Sequence, residues 1–180
     1  MNHESLSTLH VLTVRALQGL FEPLCGDVSI SDDPPTRALS PREGTLVAAI
    51  GFRSPCLSGE LVLLAPPSFV ELVLPREVRE RRPSARIAAD WVGELTNQLV
   101  GRLKNQLLGY GVDVALGTPR AVTECDIAEF ETSMRTIVRL SLANPEGSLV
   151  AVLFTEEHPD LSLSEAMPGV AVSEGDIVLF

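Results

Sequence analysis

No stretch of the chain approaches the roughly 18 uninterrupted apolar residues that a membrane-spanning helix needs, so no membrane span is expected. Cysteine is scarce. Cys25, Cys56 and Cys125 stand far apart, odd in number and without a CxxC pair, which supports neither a zinc knuckle nor a disulfide framework and fits a reducing compartment. The histidines His3, His10 and His158 are scattered between the N-terminal segment and the tail, so no metal site is expected. GxGxxG, GxxxxGK, GxSxG and HExxH are all absent, and with them the usual nucleotide-binding and hydrolase equipment. Basic residues are outnumbered 24 to 14, giving a net charge of −10 and arguing against nucleic acid as a partner. The N-terminus carries Glu4 and no basic leader pattern, so the reading is an unexported, cytoplasmic protein.

What is present is apolar enough, at 45% hydrophobic over 180 residues, to fill one core but not two. Residues 5–24 repeat Leu6, Leu9, Leu12, Leu17, Leu20 and Phe21 at helical intervals, with Pro23 and Gly26 as stops. Residues 26–43 read as a loop apart from a possible strand at 28–30. Residues 45–52 and 59–65 form a hairpin of central strands, and Ser68 caps a short helix over 69–74 that Pro75 ends. Residues 76–83 mix Arg and Glu as a solvated connector. After the long helix described next, 112–116 reads as a short strand, 120–132 as polar and acidic, and 133–143 with 148–154 as a second hairpin. The expected division is a domain over 1–155 and an extension over 156–180, whose end is either a terminal strand docked on a sheet edge, the favoured reading because Ile177 and Phe180 need cover, or a sticky peptide. Hairpins interleaved with three helices give an α+β fold, a largely antiparallel sheet packed on long helices.

Residues 84–110 organise the rest. At 100° per residue, Ala88, Val92, Leu95, Leu99, Leu103 and Leu107 fall on one side, and Asp90, Glu94, Asn97, Gly101, Lys104 and Asn105 on the other. Trp91 lies at the boundary, where packing on the sheet is its expected role. The polar side spells DxxxExxN, and Gly101 stands inside the helix at a cost of roughly 1 kcal/mol relative to Ala. A partner that must approach closely would explain that glycine. By itself ExxN is a short pattern that any solvated helix face can present.

The segment GELTNQLVGRLK, with Asp90 before it and Pro119 behind, resembles the CheC/CheX/FliY family of chemotaxis phosphatases, and most of all a CheX-type domain with one copy of the motif. The resemblance implies a CheX-like fold over residues 5–155 and a phosphatase acting on the aspartyl phosphate of a CheY-like response regulator. It implies that Glu94 and Asn97 enter the regulator's active site, with Asp90, Gly101, Lys104 and Asn105 as candidate contacts. No cofactor is expected on this chain; Mg²⁺ is expected in the partner receiver domain, and a homodimer is implied. The residue types suit the task. An aspartyl phosphate carries its own good leaving group, so the helper need only place a water, which a carboxamide does without titrating. A carboxylate one turn earlier can pair with a cation and hold the helix in place. The alternative is a non-catalytic adaptor of the same fold that binds a receiver domain or flagellar-switch component.

Overall fold

The computed structural model describes residues 3–33, 43–81, 83–156 and 161–163. The first helix, α1 (His3–Cys25), turns Leu9, Leu12, Ala16, Leu17, Leu20 and Phe21 inward. Pro23 lies inside its last turn rather than stopping it, and the chain turns at Gly26, whose φ of 76° is left-handed. A short edge strand, β1 (Ser29–Asp32), follows one residue later than the sequence suggests.

The first hairpin, β2 (Leu46–Arg53) and β3 (Ser58–Ala65), pairs antiparallel in unbroken register from Leu46–Ala65 to Arg53–Ser58. Helix α2 (Pro67–Val73) begins at Pro66, with Pro67 in its first turn and no side-chain cap, so Ser68 is not the cap. Proline preset φ for the first turn, and a cap hydroxyl was not needed. The arginine-rich connector is itself helical as α3 (Arg76–Glu80), which buries none of its residues. Helix α4 (Ala85–Leu108) is capped by the Ser84 hydroxyl, which accepts from the Ile87 amide, and the turn beyond it closes at Gly111 with φ 74°.

The strand after α4 is shorter than expected, β4 (Ala115–Leu116), and a second two-residue strand, β5 (Arg120–Ala121), also pairs with β2. Within the polar 120–132 stretch lies a helix that the sequence reading did not anticipate, α5 (Glu124–Ser133). Thr123 and Asp126 close its N-terminus as a reciprocal capping box. The second hairpin, β6 (Arg135–Asn144) and β7 (Gly147–Thr155), completes the sheet.

Strand order is β1-β6-β7-β3-β2-β4, with β5 beside β4 on the outer edge of β2 and every pairing antiparallel. Because side chains alternate along a strand, the sheet has two apolar faces. Ile50, Phe52, Leu61, Leu63, Leu140 and Leu153 meet α1 and α4 in the main core. Ala49, Val62, Leu64, Val152 and Phe154 meet Ile127 and Phe130 of α5 in a smaller one. β3 and β7 lie so close at Gly59 that a Cβ there would collide with the Phe154 carbonyl oxygen, which explains glycine in an otherwise apolar strand.

Leu161 and Leu163 of the extension insert into the main core. The Ser5 hydroxyl donates to the Leu161 carbonyl (3.3 Å) and accepts from the Leu163 amide (3.1 Å), while the Thr8 hydroxyl donates to the Leu163 carbonyl (3.3 Å). These three residues are held by helix hydroxyls and belong to no strand; Ile177 and Phe180 lie outside the described residues.

Candidate functional site

Helix α4 has two differently employed sides. Val92, Leu95, Leu99, Leu103 and Leu107 are each at most 2% exposed, and each such side chain contributes roughly 1.5–3 kcal/mol of apolar burial. That row fixes the helix's rotation about its axis. The opposite face is thereby turned outward: Asp90 and Glu94 are exposed, and Asn97, Gly101, Lys104 and Asn105 are half-buried. Three residues apart on a helix means about 60° and about 4.5 Å of rise, so Glu94 and Asn97 are neighbours on one surface. Trp91 packs against the main core, with its indole N–H buried and unpartnered.

Each polar side chain has its own situation. Glu94 Oε1 accepts a hydrogen bond from Gln98 Nε2 at 2.8 Å, one turn further on. Gln98 was not singled out by sequence reasoning, although its i, i+4 spacing from a carboxylate is the signal that finds it. The Asn97 carboxamide makes no hydrogen bond among the described residues and is left to water or a partner. Asp90 Oδ2 lies 3.9 Å from Arg86 Nε in an exposed pair. Lys104 Nζ is held by Asp113 Oδ1 at 3.0 Å, so its charge is already partly neutralised. Around Gly101 there is nothing within 4 Å of where a Cβ would sit.

Pro119 comes back to this helix. A Cβ on Gly93 would stand 3.6 Å from Pro119 Cβ, so the loop between β4 and β5 lies against the turn that carries Glu94. The loop wraps the sheet edge. On the far side, Arg120 reaches Glu60 Oε1 (3.7 Å) and Asp126 Oδ1 (3.9 Å) and stacks over the Phe130 ring at 5.1 Å. Burial pushes the Glu60 carboxyl pKa up, against the opposing pull of Arg120, and its Oε2 has no partner. The Asp126 carboxyl is held below its ordinary range by the hydrogen bonds from Thr123 and, to a smaller degree, by Arg120. Glu60 also lines a groove of about 370 Å³ with Gly51, Ser58, Gly117, Met134 and Glu156. That groove is on the α5 side of the sheet and contains neither Glu94 nor Asn97. A lone carboxylate within an apolar strand was the signal for it.

This helix face offers an exposed carboxylate and, beside it, a carboxamide with no hydrogen-bond partner among the described residues. Among the described residues no group of three or more His, Cys, Asp or Glu side chains is placed to hold a metal ion, and no helix is long and apolar enough to cross a membrane.

The family model described as chemotaxis phosphatase CheX matches residues 46–139, just over half of the chain. No curated protein matches at the sequence level. Among solved structures, the chemotaxis protein CheX from Vibrio vulnificus superposes with a TM-score of 0.62 at 16% identity, covering 82% of this chain and 96% of its own. The CheX–CheY–BeF3–Mg²⁺ complex from Borrelia burgdorferi gives 0.61 at 11% identity, covering 82% and 97%. The FliM–SpeE complex from H. pylori gives 0.54 at 11%, covering 87% and 90%. At these identities the structural likeness is one of fold.

Proposed function

We propose, for a chain that belongs to the CheX family of chemotaxis phosphatases, that it hydrolyses the aspartyl phosphate of a CheY-like receiver domain by inserting the α4 face into the receiver's active site. The observation that supports this reading is the pairing of an exposed Glu94 with an Asn97 whose amide has no internal partner, on adjacent turns of one face. The existence of a CheX–CheY complex in a protein of the same fold supports the choice of partner.

In this reading the receiver brings the phosphoryl group and the Mg²⁺ that neutralises its oxygens, while this chain brings position. The Asn97 carboxamide hydrogen-bonds a water and holds it in line with phosphorus; being neutral at all working pH values, it needs no proton shuttled in or out. Glu94 pairs with a cation on the receiver and fixes the depth of insertion. Gln98 holds the Glu94 carboxylate extended before the partner arrives. Asp90 is an exposed early-turn acid already near Arg86, a place favoured by the helix dipole, and sits at the margin of the contact.

The test is phosphate release from a CheY receiver phosphorylated with acetyl phosphate in Mg²⁺. Asn97→Ala is expected to lower kcat about 100-fold with little change in KM, as loss of a positioning group does. Glu94→Ala is expected to act mainly on KM. Wild type and both variants releasing phosphate no faster than receiver alone would remove the proposal. Wild type that binds the phosphorylated receiver without shortening its lifetime would make the chain an adaptor instead.

A further inference from the structure

Pro119 and Arg120 are successive residues whose side chains leave the extended chain on opposite faces of the sheet. Pro119 is on the α4 side, where a Cβ on Gly93 would stand 3.6 Å from its own Cβ. Gly93 precedes Asn97 by four residues, one turn away on the same side of the helix. Pro119 therefore flanks the site. Arg120 is on the α5 side and makes three contacts there: Glu60 Oε1 at 3.7 Å, Asp126 Oδ1 at 3.9 Å and the Phe130 ring at 5.1 Å.

Those contacts join elements that otherwise have little hold on the loop over 117–119. Strand β5 is two residues long and pairs with β2 only at Ala48 and Ala49, whereas strands usually run about 3–10 residues. The Gly117 amide donates to the Gly51 carbonyl at 2.8 Å and the Val122 amide to the Val47 carbonyl at 3.1 Å. Backbone bonds thus pin both ends of the segment to one strand, β2. The Arg120 guanidinium alone carries the tie onward, to β3 through Glu60 and to α5 through Asp126, a member of its capping box, and the buried Phe130.

Glu60 is the second observation. Its carboxylate lies over Gly51, whose Cβ would stand 3.1 Å from Oε1, and its Oε2 is buried without a partner. A carboxylate held this way is unfavourable unless a cation stands near, and Arg120 is the cation that pairs with it. An apolar side chain at position 60 would suit the small core as well; a carboxylate there serves Arg120.

We infer that Arg120 is a positioning residue, clamping the loop over 117–119 against α4 and so holding the turn that bears Asn97 in place. Its effect on turnover rests on the function proposed above; the clamp itself does not. Positioning leaves little slack, since a displacement of about 1 Å at a reacting centre can cost about 100-fold in rate.

The experiment compares wild type with Arg120→Ala and Arg120→Lys at a temperature where thermal unfolding shows all three folded. It reads phosphate release from the acetyl phosphate-treated CheY receiver, the NMR signals of the Asn97 side-chain amide, and hydrogen exchange of the backbone amides over 117–123. Arg120→Ala is expected to lower kcat about tenfold with KM changed less than about twofold, to shift the Asn97 signals and to speed exchange in the loop. Arg120→Lys should recover part of each, because it keeps the charge but cannot lie flat on Phe130. Should the alanine variant fail to fold, the lysine variant carries the same test with smaller changes. A lower Tm with kcat and the Asn97 signals of the folded protein unchanged overturns the inference, by showing that Arg120 supports the fold alone, and leaves the proposed function standing. A wild type that releases no phosphate overturns the proposed function, and the Asn97 signals and the exchange rates then decide the clamp.

Discussion

Gly101→Ala separates what α4 does for the fold from what it does for a partner. In the folded chain no atom beyond the neighbouring residues and the helix's own backbone lies within 4 Å of the new methyl, and the position is interior to a 24-residue helix. The substitution therefore meets no clash and recovers the helix propensity that glycine forgoes, about 1 kcal/mol. For a chain of this size that raises Tm by about 2–4 °C. The same methyl projects from the stripe that holds Asn97, one turn and about 6 Å further along. If a partner's backbone packs there, the methyl overfills a close contact at a cost of about 1–3 kcal/mol, which is roughly a 5- to 150-fold rise in KM or Kd.

Two assays on one variant decide the matter: thermal unfolding, and dephosphorylation of the phosphorylated receiver. The expected result is a more stable protein that works worse at low receiver concentration. A variant that gains stability and keeps its KM refutes the reasoning, because the docking face would then stop at Asn97 and the glycine would have no functional cause. A fall in Tm would refute it differently, by showing that the space around Gly101 is not open.

Two further outcomes test how the frame around the site is held. Leu163→Ala removes a side chain that is 1% exposed in the main core and should cost about 2–4 kcal/mol in denaturant unfolding; a cost below about 0.5 kcal/mol would mean that the extension is not part of the core. For Glu60, burial raises the carboxyl pKa above its ordinary 4.5, so the folded state keeps the proton to higher pH than the unfolded chain does, and this group's contribution to stability improves as pH falls through the folded pKa. Glu60→Gln should accordingly be more stable than wild type at pH 7, with the gap closing as pH falls below the ordinary carboxylate range; a gap that widens on acidification would reverse the assignment.

Much of this was legible because its causes are local. Leu95, Leu99, Leu103 and Leu107 recur at the helical period whatever else the chain does, and their burial dictates which way Glu94 and Asn97 face. The two hairpins carry apolar runs broken by Pro, Ser, Asn and Gly, so their pairing was readable as well. Helix α5 escaped because its buried side in a polar stretch is narrow. Of its described side chains only Ile127 and Phe130 are buried, and its clearest signal is the Thr123–Asp126 capping box, a two-residue pattern easily passed over. Ser68 has the hydroxyl and the position of a cap, but Pro66 and Pro67 fix the entry to α2 without one.

The docking of the extension was illegible for a deeper reason. Its partners are hydroxyls on the inward side of α1, where Ser5 is fully buried in line with Leu9, Leu12 and Ala16. A serine in an apolar stripe looks like a flaw when the helix is considered alone. Buried beside an incoming backbone, it becomes donor and acceptor at once, satisfying the Leu161 carbonyl and the Leu163 amide that would otherwise lose their water unpaired. Thr13 and Thr96, equally buried, donate their hydroxyls to carbonyls of their own helices, whereas Ser5 uses its hydroxyl for the extension, and the Asn97 amide on an outer stripe is left for the partner proposed above. The same accounting of hydrogen bonds, applied to opposite sides of two helices, locates the contact within the molecule and supports the proposal of one outside it.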